Sequence, residues 1–143
     1  NTGRLLKSFF HVVKEYIEKN SFNYNLNEFM PPLIKSFGRL QQVTSFIASK
    51  GLNNPEEAAG PATDYLKMFS LVAIGYVWTR YAEISFNKQN DDPEGFYKAK
   101  IASGKYYMLK ILPETGSIMS SILSGAKYYN DFDDKYFDSG FIL

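Results

Sequence analysis

Cysteine is absent from this 143-residue chain, and histidine and tryptophan occur once each. Without cysteine the chain forms no disulfide and carries no thiol nucleophile, which favours a reducing compartment, and we expect a cytoplasmic location. The single histidine excludes the common zinc sites, which need several His or Cys ligands. Metal sites of helical bundles need Glu-x-x-His pairs, which the sequence also lacks. We therefore predict no catalytic, cofactor-binding or metal-binding residue in this chain.

Strong charge of one sign and long hydrophobic runs are missing as well. The net charge of +1 gives no argument for binding nucleic acid or an anionic membrane. The longest apolar stretch, residues 68–78, is interrupted by Ser70 and falls well short of the roughly 20 residues that span a bilayer. No signal-peptide pattern is visible, and the chain enters a helical pattern almost at once after Asn1, as expected for a domain excised from a longer chain.

Several isolated features have both a functional and an ordinary structural explanation. His11 lies in an amphipathic segment, where a structural or surface histidine is more common than a general base. Residues 130–134 resemble the start of a calcium loop but lack its sixth-position glycine and twelfth-position acid, so a solvated acidic loop is the better interpretation. Trp78, Arg80 and Tyr81 suggest an aromatic–cation cluster that meets a nucleotide or a subunit, but core filling by Trp78 is the stronger alternative. The lysines at 98, 100, 105 and 110 indicate a solvated face or a contact with an acidic partner.

What is abundant is aromatic side chains and helical periodicity. The 12 Phe and 11 Tyr residues are typical fillers of wide spaces between helices. Apolar residues recur at three- and four-residue steps, and no stretch alternates as a strand does. We predict an all-α fold, an up-and-down antiparallel four-helix bundle with kinked third and fourth helices, over residues 1–125. An irregular aromatic and acidic tail is expected over residues 126–143. The predicted helices cover residues 3–19, 26–50, 55–87 and 93–112. The second is expected to be regular from Pro31, and the third to kink or start anew near Ala62. The fourth is capped by Asp92, bends at Pro113 and continues to Gly125.

Two segments, residues 59–78 and 96–114, carry a family resemblance. In this order and spacing they resemble the helical domain appended to the C-terminus of some bacterial acyl-CoA dehydrogenases, a subgroup that includes methylmercaptopropionyl-CoA dehydrogenases. The similarity covers nearly the whole chain and is best from Ala59 to Gly125. The residues that carry it are Tyr65, Leu66, Phe69, Gly75, Trp78, Lys100, Tyr106, Tyr107, Leu112, Pro113, Glu114 and Gly125.

The resemblance implies a parent enzyme that oxidises acyl-CoA to 2,3-enoyl-CoA with FAD. It also implies that the catalytic glutamate and the main FAD contacts belong to a core that precedes this chain, so no residue here is assigned to either. The chain is then expected to be a non-catalytic domain that packs on the catalytic core or on a homo-oligomer partner. It should leave an apolar surface patch uncovered when that core is absent.

A second hypothesis is a stand-alone helical binding module for an apolar ligand or a partner helix. It rests on the aromatic excess and on the mid-helix glycines, and it predicts a preformed apolar pocket between helices. An enzyme complete in itself has almost no support from the residues.

Overall fold

The computed structural model describes residues 2–50 and 55–131, and within them every regular element is helical. These residues form five α-helices and no strand. The connections include two 3₁₀ turns, at Tyr24–Leu26 and Gln89–Asp91, and a π-helical turn at Tyr107–Ile111. The predicted all-α class is therefore confirmed for the described part of the chain. The helices are α1 (Thr2–Asn20), α2 (Met30–Lys50), α3 (Pro55–Lys88), α4 (Phe96–Tyr106) and α5 (Glu114–Asp131).

The prolines act on the helices in different ways. Pro31 and Pro32 lie in the first turn of α2, where backbone amides have no partner within the helix, so they start it at little cost. Pro61 lies inside α3, which runs continuously from Pro55 to Lys88, so the alternative of a new helix start near Ala62 is wrong. The helix continues there because its next turns pack on α2, with the Tyr65 and Thr44 hydroxyl oxygens 2.7 Å apart.

The start of α4 differs from the sequence prediction. Asp92 does bind backbone amides, since its carboxylate accepts hydrogen bonds from the amides of Glu94 (3.2 Å) and Tyr97 (2.8 Å). The helix nevertheless begins at Phe96, three residues after the predicted first position, because Gly95 adopts a left-handed conformation (φ 79°) that interrupts the helical path.

The predicted bend at Pro113 falls on a helix interruption. The Leu112 amide donates to the Tyr107 carbonyl five residues earlier, at 2.9 Å, which is the π-type hydrogen bond. α5 then begins at Glu114 and continues to Asp131, beyond the predicted end at Gly125. The predicted tail thus begins in a helix, and the rest of it, with the predicted loop around Gly51, lies outside the described residues.

The helices enclose two apolar clusters around α3, which contacts α2, α4 and α5. The first cluster lies toward the start of α2 and joins this helix to α4 and the π-helical turn. The second cluster lies toward the end of α2 and joins this helix to α3 and α5. The first cluster contains Tyr16, Leu26, Phe29, Met30, Leu33, Ala82, Ile101, Tyr107, Met108 and Leu112, and the second contains Val13, Phe37, Leu40, Val43, Met68, Val72, Ile118 and Ile122.

Among the described helices, none combines the length and the hydropathy that a membrane span requires.

Candidate docking surfaces

Several of the residues that carry the family resemblance, Gly75, Tyr107, Leu112 and Glu114, lie along the seam between α3 and the later helices. The Tyr107 hydroxyl donates a hydrogen bond of 2.5 Å to the Leu71 carbonyl of α3. A Cβ at Gly75 would lie 3.3 Å from the Leu112 side chain, so glycine permits this close helix approach. At the surface, the Lys67 ammonium lies 2.7 Å from the Glu114 carboxylate. These residues therefore hold α3 to the later helices.

The predicted cluster of Trp78, Arg80 and Tyr81 is only partly formed. The rings of Trp78 and Tyr81 meet edge to face with centroids 6.1 Å apart. Arg80 turns away from Trp78: its guanidinium donates to the Tyr76 hydroxyl at 2.9 Å and lies 5.4 Å from the Tyr16 ring centroid. Residues two positions apart on a helix point in different directions, so Trp78 and Arg80 contact different neighbours.

The cation beside Trp78 and Tyr81 is Lys100 of α4. Its ammonium lies 5.7 Å from each of those ring centroids and 5.5 Å from that of Phe96. The sequence marked Lys100 only as one member of a basic rim, and no local spacing links it to aromatic residues of another helix. This cluster therefore depends on how α3 and α4 pack together.

A stripe of half-exposed apolar side chains runs along the outside of α3. Its members recur at three- and four-residue steps, so they share one face of the helix. The sequence interpretation of α3 as a helix buried on most sides therefore misses this face. This α3 stripe consists of Ile74, Val77, Tyr81 and Ile84.

The neighbouring surface of α4 and the π-helical turn extends this apolar area and is basic. Phe96, Tyr106 and Leu109 are exposed there, and a shallow depression lined by Trp78, Tyr106 and Ile111 lies between α3 and this segment. Residues 96–111 contain four lysines and no acidic residue. One of them, Lys105, has its ammonium 3.2 Å from the Glu28 carboxylate. The combined surface fits an apolar partner face that carries acidic residues.

A second apolar surface is an open groove between the start of α1, the end of α2 and the start of α3. Its volume is about 610 Å³, within the range of ligand pockets. No charged side chain lines it, and its polar groups are the hydrogen-bonded hydroxyls of Thr44 and Tyr65. We call it the apolar groove; its lining is Leu5, Leu6, Thr44, Ile47, Ala48, Pro61, Ala62, Tyr65, Leu66 and Phe69.

The lining of the groove can be compared with what FAD, the cofactor that the resemblance implies in the parent enzyme, requires of a binding site. FAD carries a pyrophosphate, which proteins bind with backbone amides, cationic side chains or both. The lining offers neither a glycine-rich loop nor a cationic side chain. The groove therefore does not fit FAD.

Two tyrosines of the core have perturbed ionisation. Burial raises the pKa of Tyr107 to about 12, and the nearby Glu114 carboxylate adds to the effect. Burial also raises the pKa of Tyr16 far above its usual range, and so does the hydrogen bond of 2.8 Å that its hydroxyl donates to Glu83. Both side chains are therefore neutral at physiological pH and act as hydrogen-bond donors within the fold.

The stability of the chain is expected to fall as the pH rises above about 10. Between the ordinary tyrosine pKa near 10 and the Tyr107 pKa of about 12, the unfolded state has lost the proton and the folded state keeps it. Each such group lowers the free energy of unfolding by up to about 1.4 kcal/mol per pH unit. Denaturant unfolding measured between pH 8 and about 12 checks this sign. Tyr107→Phe should lower stability by roughly 1 kcal/mol at neutral pH and flatten the alkaline decline; an unchanged slope would contradict the assignment.

Chemistry-bearing residues form no obvious site in the described ranges. No group of three or more His, Asp or Glu residues that could hold a metal ion occurs among them. His11 is exposed, with its Nε2 atom 3.2 Å from the Glu15 carboxylate one helical turn away. Of the calcium-loop-like segment, Asn130 and Asp131 belong to α5, and residues 132–134 lie outside the described part.

Over the described residues, fold and surfaces together define a helical domain whose exposed apolar faces are suited to packing against another surface. A family model described as acetyl-CoA dehydrogenase C-terminal like matches residues 9–133. The chain therefore belongs to this family. No curated protein matches the sequence.

Proposed function

We propose that this chain is the non-catalytic C-terminal domain of an FAD-dependent acyl-CoA dehydrogenase and docks on the catalytic core through the α3 stripe and the adjoining basic surface of α4. The observation that carries the proposal is the exposed apolar stripe on a helix that also lies at the centre of the fold. Family membership supports the parent enzyme. The core would supply the catalytic glutamate and the FAD contacts, and the reaction would convert acyl-CoA to 2,3-enoyl-CoA in the cytoplasm.

The helix directions support an up-and-down antiparallel four-helix bundle as the architecture of this domain. Contacts of α1 with α3 advance together, from Phe9 beside Phe69 to Tyr16 beside Glu83, so these two helices run in the same direction. Contacts of α3 with the later helices run in opposite order, from Leu71 with Tyr107 to Lys88 with Tyr97. The segment from α4 to α5 then acts as one interrupted fourth helix.

The identity of the parent is tested by the reading frame upstream of Asn1. We expect a flavoenzyme core in frame with this chain, within the subgroup that resembles methylmercaptopropionyl-CoA dehydrogenase. A start codon directly before Asn1, with no dehydrogenase sequence upstream, would contradict the proposal.

The docking face is tested in the full-length enzyme by two matched substitutions. Ile84 of the α3 stripe and Ile34 of α2 are 45% and 43% exposed, so each aspartate is introduced at a similar accessibility. A charge buried at an interface costs several kcal/mol, whereas an exposed charge costs little. Ile84→Asp is therefore expected to accelerate proteolytic cleavage between core and domain by at least about tenfold, and Ile34→Asp by less than about twofold.

Equal cleavage of both variants would place the docking face elsewhere. The circular dichroism spectrum of each variant should match that of the wild type, which separates undocking from unfolding. Turnover of acyl-CoA, measured on the same preparations, reports whether docking shapes access to the active site. A homo-oligomer partner as the docking target would appear as a change of oligomeric state in the Ile84→Asp variant alone.

The apolar groove supports the alternative function, a binding module for an apolar ligand. Its volume and its nearly complete apolar lining are those of a small-molecule pocket. This alternative requires the groove to be open in the ligand-free chain.

A further inference from the structure

A smaller cleft lies between α2 and the segment that joins α4 to α5. Its volume is about 300 Å³, at the lower end of the range for ligand pockets. The buried side chains of Met108 and Leu112 form part of its apolar lining, and Lys35 and Arg39 of α2 supply its charge. None of the described residues that line this basic cleft is acidic.

The guanidinium group of Arg39 is held in place by the start of α5. Its Nη1 atom donates a hydrogen bond of 3.2 Å to the hydroxyl of Thr115. Thr115 is fully buried and donates its own proton to the Leu112 carbonyl at 2.9 Å, so toward Arg39 the hydroxyl acts as acceptor. A Cβ at Gly116 would lie 2.9 Å from Cζ of Arg39, so the guanidinium rests directly against the glycine. Helix α5 therefore fixes where Arg39 presents its charge.

Most of the donors of Arg39 are left over by these contacts. A guanidinium group carries five N–H donors, and within the described residues that of Arg39 makes one hydrogen bond and no ion pair. The nearby carboxylate of Glu114 lies 2.7 Å from the ammonium of Lys67 instead. Residues 30–50 and 96–113, which supply the lining, contain no acidic residue. Donors of Arg39 are therefore available to an acceptor from outside the described fold.

Lys35 adds a second positive charge one helical turn before Arg39. Like charges four residues apart on a helix disfavour each other, so an anion bound between them relieves a repulsion. The start of α5 contributes little to such a site. The amides of Thr115 and Gly116 already donate to the carbonyls of Leu112 and Pro113, at 3.0 Å each. The two cationic side chains are therefore what makes the cleft attractive to an anion.

The chemistry of the lining narrows the class of anion. A planar carboxylate can accept two parallel hydrogen bonds from one guanidinium group. A doubly charged phosphate loses more hydration on entering a cleft with apolar walls, which disfavours it. The side chains of Met108 and Leu112 offer apolar contact and no partner for a second polar group. The cleft therefore fits a singly charged carboxylate attached to a short apolar chain.

We propose that the basic cleft binds a small organic monocarboxylate, with its carboxylate on Arg39 and Lys35 and its apolar chain on Met108 and Leu112. Gly116 and Thr115 are positioning residues of this site, because they act on the ligand only through Arg39. The site depends neither on the proposed parent enzyme nor on docking through the α3 stripe, since all its residues belong to α2, the π-helical turn and the segment after it.

The binding site is tested by ligand-observed NMR titration of the 143-residue chain with sodium hexanoate. We expect a Kd on the order of 1 mM, typical of a ligand of this size. Arg39→Gln should weaken binding by at least about tenfold, because hydrogen bonds to a charged group are lost. The matched control is Arg4→Gln, which removes the same charge from an exposed position of α1 outside the cleft and should change Kd by less than about twofold.

Gly116→Ala tests the positioning of Arg39 without removing any charge or donor. The new Cβ would displace the guanidinium, so hexanoate binding should weaken by at least about threefold. Thermal unfolding should be unchanged or shifted upward, since alanine favours the helix and the displaced group is the end of a flexible side chain. The control is Gly38→Ala, because a Cβ there meets nothing within 4 Å and should leave hexanoate binding unchanged.

Two further probes separate the contributions of charge and apolar chain. Sodium acetate carries the same carboxylate without the chain and should bind at least about tenfold more weakly than hexanoate. Binding of uncharged 1-hexanol should not depend on Arg39. Circular dichroism of every variant should match that of the wild type, so that a loss of binding is not a loss of fold.

Three results would overturn the proposal. Hexanoate affinity that is the same in the Arg39→Gln variant and the wild type would assign the probe to another site, such as the apolar groove, and would favour the binding-module function. Equal affinities for acetate and hexanoate would remove the apolar chain from the proposal. Equal weakening by Arg39→Gln and Arg4→Gln would reduce the effect to net charge. None of these results bears on docking through the α3 stripe, so the two proposals fail separately.

Discussion

Phe29→Ala is expected to lower the free energy of unfolding by about 3–5 kcal/mol, the range for loss of a large aromatic side chain from a core. Phe29 is 0% exposed and lies in the cluster that joins α2 to α4 and the π-helical turn. Its removal leaves a cavity that neighbouring helices fill only partly, so the cost exceeds the lost hydrophobic transfer energy. Denaturant unfolding monitored by circular dichroism measures the change.

The matched control is Phe22→Ala, because Phe22 lies in the connection after α1 and is 99% exposed. The same atoms are removed there without opening a cavity, so the expected change is within about 0.5 kcal/mol. Similar losses for the two variants would contradict the placement of Phe29 in the core. The full-length enzyme should show the same order of effects if the domain folds as a unit.

Gly104→Ala is also expected to lower the free energy of unfolding, because Gly104 of α4 faces the ring of Phe29. A Cβ at Gly104 would lie 2.8 Å from Cε1 of Phe29 and 3.3 Å from Cε3 of Trp78. Because Phe29 is fully buried, its ring moves only by disturbing its neighbours, and overpacking of this kind costs about 1–3 kcal/mol. The higher helix propensity of alanine offsets up to about 1 kcal/mol of this loss.

Gly38→Ala separates the two contributions, since a Cβ at that exposed position of α2 meets nothing within 4 Å. It is expected to stabilise the chain by about 0.5–1 kcal/mol through helix propensity alone. The difference between the two glycine substitutions then reports the Phe29 contact, and it should reach about 1–3 kcal/mol. In the double variant Phe29→Ala, Gly104→Ala, the losses should be less than additive because the cavity accommodates the new methyl group. Strict additivity would mean that the two side chains do not share space.

The helices themselves were predictable because their signals are local. The three- and four-residue spacing of apolar side chains marked α1 and α2, and Pro31 and Pro32 marked the first turn of α2. Where local signals compete, the prediction was less exact. Asp92 and Pro93 indicated a helix start, but the left-handed Gly95 delays it to Phe96. Gly125 suggested an end, yet α5 passes through it, because glycine in a helix costs only about 1 kcal/mol and does not by itself stop it.

The sequence predicted which kinds of apolar surface the domain has but not where they lie. An uncovered apolar patch was expected from a docking domain, and an apolar pocket from a binding module, and the fold contains both features, in the α3 stripe and the apolar groove. Their positions depend on which side of α3 the other helices occupy. The residues from Tyr65 to Tyr81 are apolar nearly all round, so periodicity gives no indication of the exposed side.

By itself, the sequence determined the helical class, the absence of thiol chemistry, the scarcity of metal ligands and the membership of a dehydrogenase-associated family. These properties follow from composition, from short-range periodicity and from motif residues, none of which requires knowledge of distant contacts. Only the tertiary structure decided that Lys100 rather than Arg80 lies beside Trp78, that Gly104 makes room for Phe29, and that α1, α2 and α3 leave a groove. Each of these contacts joins residues far apart in the chain, and their side chains meet only because the packing of whole helices brings them together.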